Sequence, residues 1–425
     1  MTGALGPERV RRLYLAGVAS GFAAGAWLGA AEAPTKLASL ALPPVVVSLA
    51  MVLGVFVARW SVPALVRGTA GVGTDVREAP HLVVWALLAG GLWAVANTLT
   101  IFAIRDIGLS IAFPLWNANS LLGIVWGIVL FNELRGARRA QWFAVLGGAA
   151  LMFLGGTALA VASTRATTGG HAWRGVTAAL GAGVLWGTMY IPYRKAYLTG
   201  MNPLSFVTFF SVGELVTMTA VAMAQEGGLA TLARDLVEAR AALFWLLCGG
   251  FVWVVGDLFQ QYAAKYVGIS RGIPLSNTNQ LWGLLWGLFV FGELRGSGVE
   301  RYAEVIGGSL VMAAGAVAIA SAAAGATERS AWEAAARREQ TRYHVDPAYV
   351  RAGLRGEAAA SATRGRRPVD WLIVGSASAV FVGLGLLARR PAVALGWTAF
   401  TGLVAAMLAL LVGTGYLLWR TTRFN

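Results

Sequence analysis

Two pairs of side chains, each spaced four residues apart, combine an aromatic ring with a polar group. Trp93 precedes Asn97, and Trp253 precedes Asp257. Residues four apart lie on the same face of a helix. Each pair would therefore place a flat apolar wall beside a hydrogen-bonding group. This is a suitable surface for a hydroxyl-bearing ring, and Asp257 would bind a hydroxyl or carry a proton there.

Two carboxyl groups, Asp257 and Glu214, fall inside apolar runs. If these runs cross a membrane, an ionised carboxyl is costly there and usually faces a cavity, a partner or a proton path. Both residues are therefore candidates for proton coupling. The structural alternatives are a hydrogen bond from Asp257 to Lys265 or a neighbouring helix, and pairing of Glu214 with Arg194 or Lys195.

Amide side chains follow a proline at two places in the chain. Asn117 and Asn119 come after Pro114, and a similar group follows Pro274. A proline removes a backbone donor and bends a helix, and amides both donate and accept hydrogen bonds, as sugar hydroxyls require. The alternative role is interhelical hydrogen bonding. The full candidate substrate-binding set is Trp93, Asn97, Asn117, Asn119, Trp126, Asp257, Gln261, Asn277, Asn279, Gln280 and Trp286.

Pro192 is followed closely by Arg194 and Lys195, a pattern that fits a hinge with an inner gate. Pro114 and Pro274 are further hinge candidates. The alternative for the basic pair is a helix end carrying the positive charges that face the cytoplasm. Glu133 and Glu293, each two residues before an arginine, are expected to be helix caps or gating ion pairs.

These residues belong to an internal repeat, which fixes the architecture. The stretch 85–148 matches 245–308 at a constant shift of 160 residues without a gap. Pro114 falls on Pro274, Asn117 on Asn277, and Trp126 on Trp286. Asn97 falls on Asp257, so only one copy of that position can titrate.

The composition is that of an integral membrane protein. The chain is 57% hydrophobic and 13% charged, with a mean hydropathy of +0.65. Its apolar runs approach 20 residues, the length that a helix needs to cross the hydrocarbon core. The net charge of +14 does not indicate nucleic acid, because the arginines lie between apolar runs, where they set orientation. The single cysteine, Cys248, excludes an intramolecular disulfide.

The fold class expected is an all-α polytopic membrane protein with a 5+5 inverted repeat and two extra C-terminal helices. Two odd-numbered repeats must be oppositely oriented, as in many secondary transporters. The expected units are 1–164 (first repeat), 165–326 (second repeat), 327–370 (Arg-rich cytoplasmic segment, partly helical) and 371–425 (two extra helices). The expected helices are 13–31, 41–58, 81–104, 108–131, 141–162, 175–192, 204–224, 242–262, 269–292, 302–323, 371–388 and 392–419. A polar loop is expected at 59–80, and the distribution of Lys and Arg predicts both termini on the cytoplasmic side.

The chain resembles the drug/metabolite transporter superfamily over about residues 13–323. The Phe131-x-Glu133 and Phe291-Gly292-Glu293 endings are similar to those found across the superfamily. The stretch 187–195, GTMYIPYRK, resembles a Pro-x-basic pattern of its sugar-uptake branch, the glucose/ribose porters and L-rhamnose–proton symporter-like proteins. The resemblance implies a five-plus-five inverted repeat and transport of a metabolite.

The expected function is secondary active transport of a small polar solute across the inner (cytoplasmic) membrane. Proton-coupled uptake of a sugar by alternating access is the first choice. The alternative is an exporter of drugs, organic cations or amino-acid-like metabolites, and a third hypothesis is a membrane scaffold or sensor. No phosphate loop is present, and the three histidines are scattered, so neither an enzyme nor a cofactor or metal site is expected. Arginine clusters at 337–338 and 364–367 are candidates for anionic lipids, and the sequence is compatible with a homodimer.

Overall fold

The computed structural model describes residues 7–31, 33–34, 42–117, 119–162, 172–292, 298–357, 366–389 and 395–424, and within them it contains helices and no strands. In the first half the helices are α1 (Pro7–Ala30), α2 (Pro44–Val66), α3 (Ala70–Glu78), α4 (His81–Asn117), α5 (Asn119–Phe131) and α6, which begins as Arg139–Trp142, passes through a π-helical turn at Phe143–Gly147 and continues as Gly148–Ala162.

In the second half they are α7 (Ala172–Leu198), α8 (Pro203–Glu226), α9 (Leu229–Glu238), α10 (Arg240–Val267), α11 (Ile269–Ser276), α12 (Asn279–Leu285, continued by a π-helical turn at Trp286–Val290) and α13 (Val299–Ser321). The helices α14 (Ala326–Tyr343), α15 (Pro347–Arg355), α16 (Pro368–Leu387) and α17 (Trp397–Thr422) follow. Nine helices among the described residues are long and apolar enough to cross a membrane, so the all-α polytopic fold is confirmed.

The polar loop expected at 59–80 is wrong. The helix α2 continues to Val66, and a short helix α3 occupies Ala70–Glu78. Arg59 therefore lies within a membrane helix, where it is completely buried. A charge at the end of an apolar run suggested a helix end, but a buried partner lets the helix continue past it.

The helix α1 packs antiparallel to α10 and then parallel to α11 and α12. Gly256 lies against Leu28, and Gly17 against Val267. At Gly268, whose φ is +86°, the chain reverses, a conformation that glycine adopts at little cost. After this reversal α11 runs back along α1, and its Leu275 side chain covers Gly21. Glycines four apart on α1 permit this close approach.

The same arrangement recurs where α4 packs on α7. Leu99 lies beside Gly181 and Asp106 pairs with Arg174, so α4 runs antiparallel to α7. Yet Trp116 packs back against Gly183. A straight helix would carry Trp116 about 15 Å beyond Asp106, so the chain must reverse between them, within α4. We expected two helices, 81–104 and 108–131. The first of these and the start of the second are instead the two arms of the bent helix α4.

The first helix of each half packs on the third and fourth helices of the other half. We name the two resulting sets the α1 group (α1, α10, α11 and α12) and the α7 group (α4, α5 and α7). Exchanging the halves of the sequence exchanges the two groups. This correspondence supports an inverted repeat, which stays a prediction.

The additional helices lie around this bundle. The largely exposed α16 packs on α2 and α10, with the Phe251 and Phe381 rings 5.6 Å apart. The helix α17 packs on α1, where Trp27 Nε1 donates to the Met407 carbonyl at 3.2 Å. Arg9 donates to the Arg355 carbonyl, at the end of the bundle that also holds α15.

Candidate functional site

Asp257 forms a buried ion pair with Arg59. The Asp257 Oδ2 atom lies 2.8 Å from Arg59 Nη2, and both side chains are 0% exposed. Gln261 Nε2 donates to the other carboxylate oxygen at 3.0 Å, and the Tyr197 hydroxyl donates to Gln261. Of the alternatives weighed for Asp257, contact with a neighbouring helix is the one that the structure contains. The sequence pattern missed Arg59, which stood in an expected loop.

Aromatic rings surround the Arg59 guanidinium. Its Cζ atom lies 4.1 Å from the Phe210 ring centroid and 5.0 Å from that of Trp253. Trp253 in turn meets Trp93 edge to face at 5.0 Å. The two tryptophans singled out by spacing are therefore in contact. Asn97, four residues after Trp93, donates to Ser48 Oγ at 3.3 Å.

Glu214 lies close to this ion pair but takes no part in it. Its side chain is 0% exposed, and neither carboxylate oxygen has a hydrogen-bond partner among the described residues. Arg59 and Asp257 are the charges that act on it. Phe210, which covers Arg59, is one helical turn before Glu214 on α8. Pairing of Glu214 with Arg194 or Lys195 is wrong, because those cations bind other carboxylates.

The matched amide side chains of the two halves meet at the break between α11 and α12. The helix α11 ends at Ser276 and α12 begins at Asn279, with a turn at Asn277 and Thr278 between them. At this junction Asn277 Nδ2 donates to Asn119 Oδ1 of the first half at 3.4 Å. An interrupted membrane helix at the contact between two repeats is a usual setting of a transporter's binding site.

Several polar atoms of the predicted site residues have no hydrogen-bond partner among the described residues. They include Asn117 Nδ2 and Asn279 Oδ1, next to the two amides that meet, and Trp126 Nε1 two turns further along α5. Asn117 is only 6% exposed. Buried polar groups are normally paired, so these unpaired donors and acceptors indicate a place where a polar ligand would bind.

Other predicted site residues lie away from this junction. Gln280 reaches Gly156 of α6, and Trp286 packs edge to face on Phe400 of α17 at 5.7 Å. Pro274 lies within α11. Pro114 lies within α4, but its side chain is outside the described set. The spacing of the repeat places a residue along a helix without fixing which neighbour it faces.

Glu133 and Arg194 clamp the chain reversal at Gly268. Glu133 accepts from the backbone N–H of Ile269 and Ser270, at 3.1 and 2.8 Å, so it caps the start of α11. Arg194 donates to the Ala264 and Lys265 carbonyls, both at 3.2 Å, near the end of α10. Each charge opposes the dipole of the helix end that it binds.

The clamp is closed by an ion pair of its own. Arg194 Nε lies 2.8 Å from Glu133 Oε1, and both side chains are buried. Lys195 pairs separately with Glu339 of α14 at 2.9 Å. Glu133 is thus a cap, of a helix in the other half, and an ion-pair partner of Arg194; a gating role for this pair stays a prediction. Glu293 lies outside the described residues.

Comparison with known proteins identifies a transporter domain in this chain. Residues 173–296 match the EamA-like transporter family, so the second half carries an EamA-like domain of the drug/metabolite transporter superfamily. The glucose uptake protein GlcU of Staphylococcus xylosus is 22% identical over 214 residues, which cover 50% of this chain and 69% of that protein. The probable glucose uptake protein GlcU of Staphylococcus aureus (strain Mu50) is 23% identical over 216 residues, covering 50% and 70%.

A solved protein crystal structure aligns with 70% of this chain and 96% of its own chain, at a TM-score of 0.43 and 14% sequence identity. The matched family and the relatives consist of transporters. Together with the apolar helices, they make this chain a multi-pass membrane transporter rather than an enzyme.

Proposed function

We propose that this transporter takes up a small polar solute, a sugar in the first place, at the junction where the matched amide side chains of the two halves meet. The observation that carries the proposal is the meeting of Asn119 and Asn277, with unpaired Asn117 and Asn279 atoms beside them. Amide groups both donate to and accept from hydroxyls. The relatives that cover half of the chain are named for glucose uptake.

Alternating access would come from a rocking of the α1 group against the α7 group around this junction. The repeats 1–164 and 165–326 would then be the two symmetry-related units. Pro114, Pro192 and Pro274 would serve as hinges, and Arg194 and Lys195 as part of the gate. We place the protein in the cytoplasmic membrane, with the end that holds Arg9 and α15 facing the cytoplasm.

Proton coupling would run through Glu214, with Asp257 and Arg59 as its electrostatic partners. While Asp257 holds Arg59, Glu214 is a completely buried carboxyl without a hydrogen bond among the described residues. An isolated buried carboxyl is much less costly when protonated. Movement of Arg59 towards Glu214 during the cycle would favour release of that proton.

Export of organic cations is the competing function, and one contact disfavours it. The Arg59 guanidinium already lies 5.0 Å from the Trp253 ring, on the aromatic surface that an organic cation would use. A second cation there would be repelled at short range. Amino-acid-like solutes remain the comparison class for the experiment.

Uptake into proteoliposomes tests the proposal, with glucose, ribose, rhamnose and a set of amino acids supplied under an inward proton gradient. We expect accumulation of a sugar, and an increase in its KM of about fivefold in Asn277→Ala, since a lost hydrogen bond costs about 1 kcal/mol. Ser309→Ala is the matched control, because Ser309 bonds only the Val305 carbonyl of its own helix.

Glu214→Gln should retain downhill uptake and lose accumulation driven by the pH gradient. Intact accumulation in the double variant Glu214→Gln, Asp257→Asn would rule out the proposed coupling. Transport of an amino acid or an organic cation without any sugar would replace the substrate class.

A further inference from the structure

The helix α14 lies across one end of the bundle and is held there along one face. Glu328, Trp332, Glu339 and Tyr343 recur at helical spacing and all face the bundle. On the opposite face Glu333, Arg337 and Arg338 are exposed. The helix belongs to the segment 327–370, which has no counterpart in the internal repeat and lies beyond the matched residues 173–296.

At its start α14 binds the α1 group. Both Glu328 carboxylate oxygens accept from Arg271 of α11, at 2.7 and 2.9 Å, and both side chains are 1% exposed. Arg271 also donates to the Ala322 carbonyl at 2.5 Å. This bidentate, buried pair fixes the first turn of α14 to the α1 group.

Towards its end α14 binds the α7 group. Glu339 pairs with Lys195 at 2.9 Å, and the Tyr343 ring stacks on the His81 ring at 3.8 Å. Between the two ends, the Trp332 ring lies 4.2 Å from the Arg194 guanidinium of the clamp. One helix therefore joins the two groups that would have to separate for this end of the bundle to open.

We propose that α14 is a releasable staple that holds this end of the bundle closed. Its docking surface combines two ion pairs and cation–π contacts, whose charges can return to water when the helix leaves, with the small buried side chains of Ala331, Ala335 and Ala336. Exposing a purely apolar surface of the same size to water would cost more free energy. The consequence for transport, a brake on opening to the cytoplasm, rests on the proposed function.

A cavity of about 250 Å³ lies between α14 and the α7 group, and its lining is a suitable place for a cysteine whose labelling reports the release of α14. Leu198 of the α7 group and Ala335 of α14 both line it, and Leu198 is 2% exposed. Ala336, on the face of α14 that packs on the bundle, is 1% exposed, whereas Ala334 of the same helix is exposed. Cys248 is the chain's single cysteine, so Cys248→Ala gives a background without a native thiol.

The experiment measures maleimide labelling of purified full-length protein that carries Leu198→Cys, Ala336→Cys or Ala334→Cys in the Cys248→Ala background. We expect slow labelling at 198 and 336 and fast labelling at 334. Adding Glu328→Gln and Glu339→Gln should accelerate labelling at 198 and 336 by about tenfold or more, because the buried Arg271–Glu328 pair and the partly buried Lys195–Glu339 pair each lose one charge. Labelling at 334 should not change.

A charge exchange separates release from general unfolding. The variant Lys195→Glu with Glu339→Lys should restore slow labelling at 198 relative to Glu339→Gln alone. Unchanged labelling at 198 and 336 in the double Gln variant would overturn the proposal. Acceleration at 336 without acceleration at 198 would also overturn it, since α14 would then leave without opening the bundle. None of these measurements needs a solute, so the labelling result is independent of whether sugar uptake is detected.

Discussion

Arg59 is the side chain on which the two membrane-buried carboxyls depend. It pairs with Asp257, stacks on two aromatic rings and is the cation that acts on Glu214. An arginine suits this place because its planar guanidinium can bind a carboxylate at its edge and aromatic rings at its faces. A lysine could not make both kinds of contact at once.

Replacing Arg59 should therefore expose the cost of a buried, unpaired carboxylate. We expect Arg59→Met to lower the free energy of unfolding by about 3–5 kcal/mol, and Asp257→Asn in the same chain to recover most of it. The unfolding midpoint in detergent measures both changes. Arg174→Met is the control, since Arg174 is 53% exposed in its pair with Asp106 and its removal should lower the stability far less. Equal stability of Arg59→Met and the parent would contradict the pairing.

The close contact of α1 with α12 depends on a glycine that faces the neighbouring backbone. A Cβ atom at Gly29 of α1 would lie 2.7 Å from the Trp282 Cβ atom and 2.9 Å from the Gly283 backbone nitrogen. Backbone and Cβ atoms cannot move aside as a flexible side-chain end can. The α1 group is therefore held together by a contact that admits no side chain.

Gly29→Ala should destabilise the protein by about 1–3 kcal/mol through overpacking. Gly307→Ala on α13 is the matched control, because nothing lies within 4 Å of its added Cβ atom and alanine favours a helix. Thermal unfolding in detergent gives both values. A Gly29→Ala protein as stable as Gly307→Ala would show that α1 and α12 can separate without loss.

The helices α3 and α15 meet through a buried carboxyl outside the membrane spans. The Tyr349 hydroxyl donates to Asp75 Oδ1 at 2.7 Å, and burial raises the pKa of Asp75. Arg67 and the Ser205 side chain oppose that increase without cancelling it. A pKa above that of the unfolded chain means that the folded state binds its proton more tightly.

The stability that comes from this protonation is present below the unfolded pKa and is lost as the pH rises through the raised pKa of Asp75. We expect the unfolding midpoint of the parent to fall over that interval. Asp75→Asn keeps a neutral side chain of the same shape and should remove this component of the pH dependence. An identical pH profile in Asp75→Asn would show that another group is responsible.

Sequence patterns predicted the polar junction better than the contacts around it. The matched amides followed from repeat positions after a proline, and their meeting needed only that the two halves pack together. Arg59 was missed because a charge ended the apolar run, and its partner lies 198 residues away in the chain. Trp286 could not be placed either, because α17, which packs on it, lies outside the repeat and gives no signal of where it docks.

The whole molecule is held together by the exchange of first helices between halves. The helix α1 lies against α10, α11 and α12, and α7 lies against α4 and α5. Most of the contacts of each half's first helix are therefore with the other half. The two halves are interdependent in space although the repeat makes them separate in sequence.

A chain divided between residues 164 and 165 should not yield a stable protein from either part alone. Coexpression of the two parts should give a complex that copurifies through a tag on one part, since the contacts of α1 and α7 cross the division. Size-exclusion chromatography with both tags detected measures this. A first part that is monodisperse and resists protease by itself would contradict the interdependence.

The exchange of first helices also delays the packing of α1 during protein synthesis. Leu28 leaves the ribosome long before Gly256, against which it packs, and at 5–20 residues per second the delay is roughly 10–45 s. Throughout that interval the glycine-lined face of α1 lacks the helices that cover it. A nascent chain that stops before residue 240 leaves this face without α10, α11 and α12.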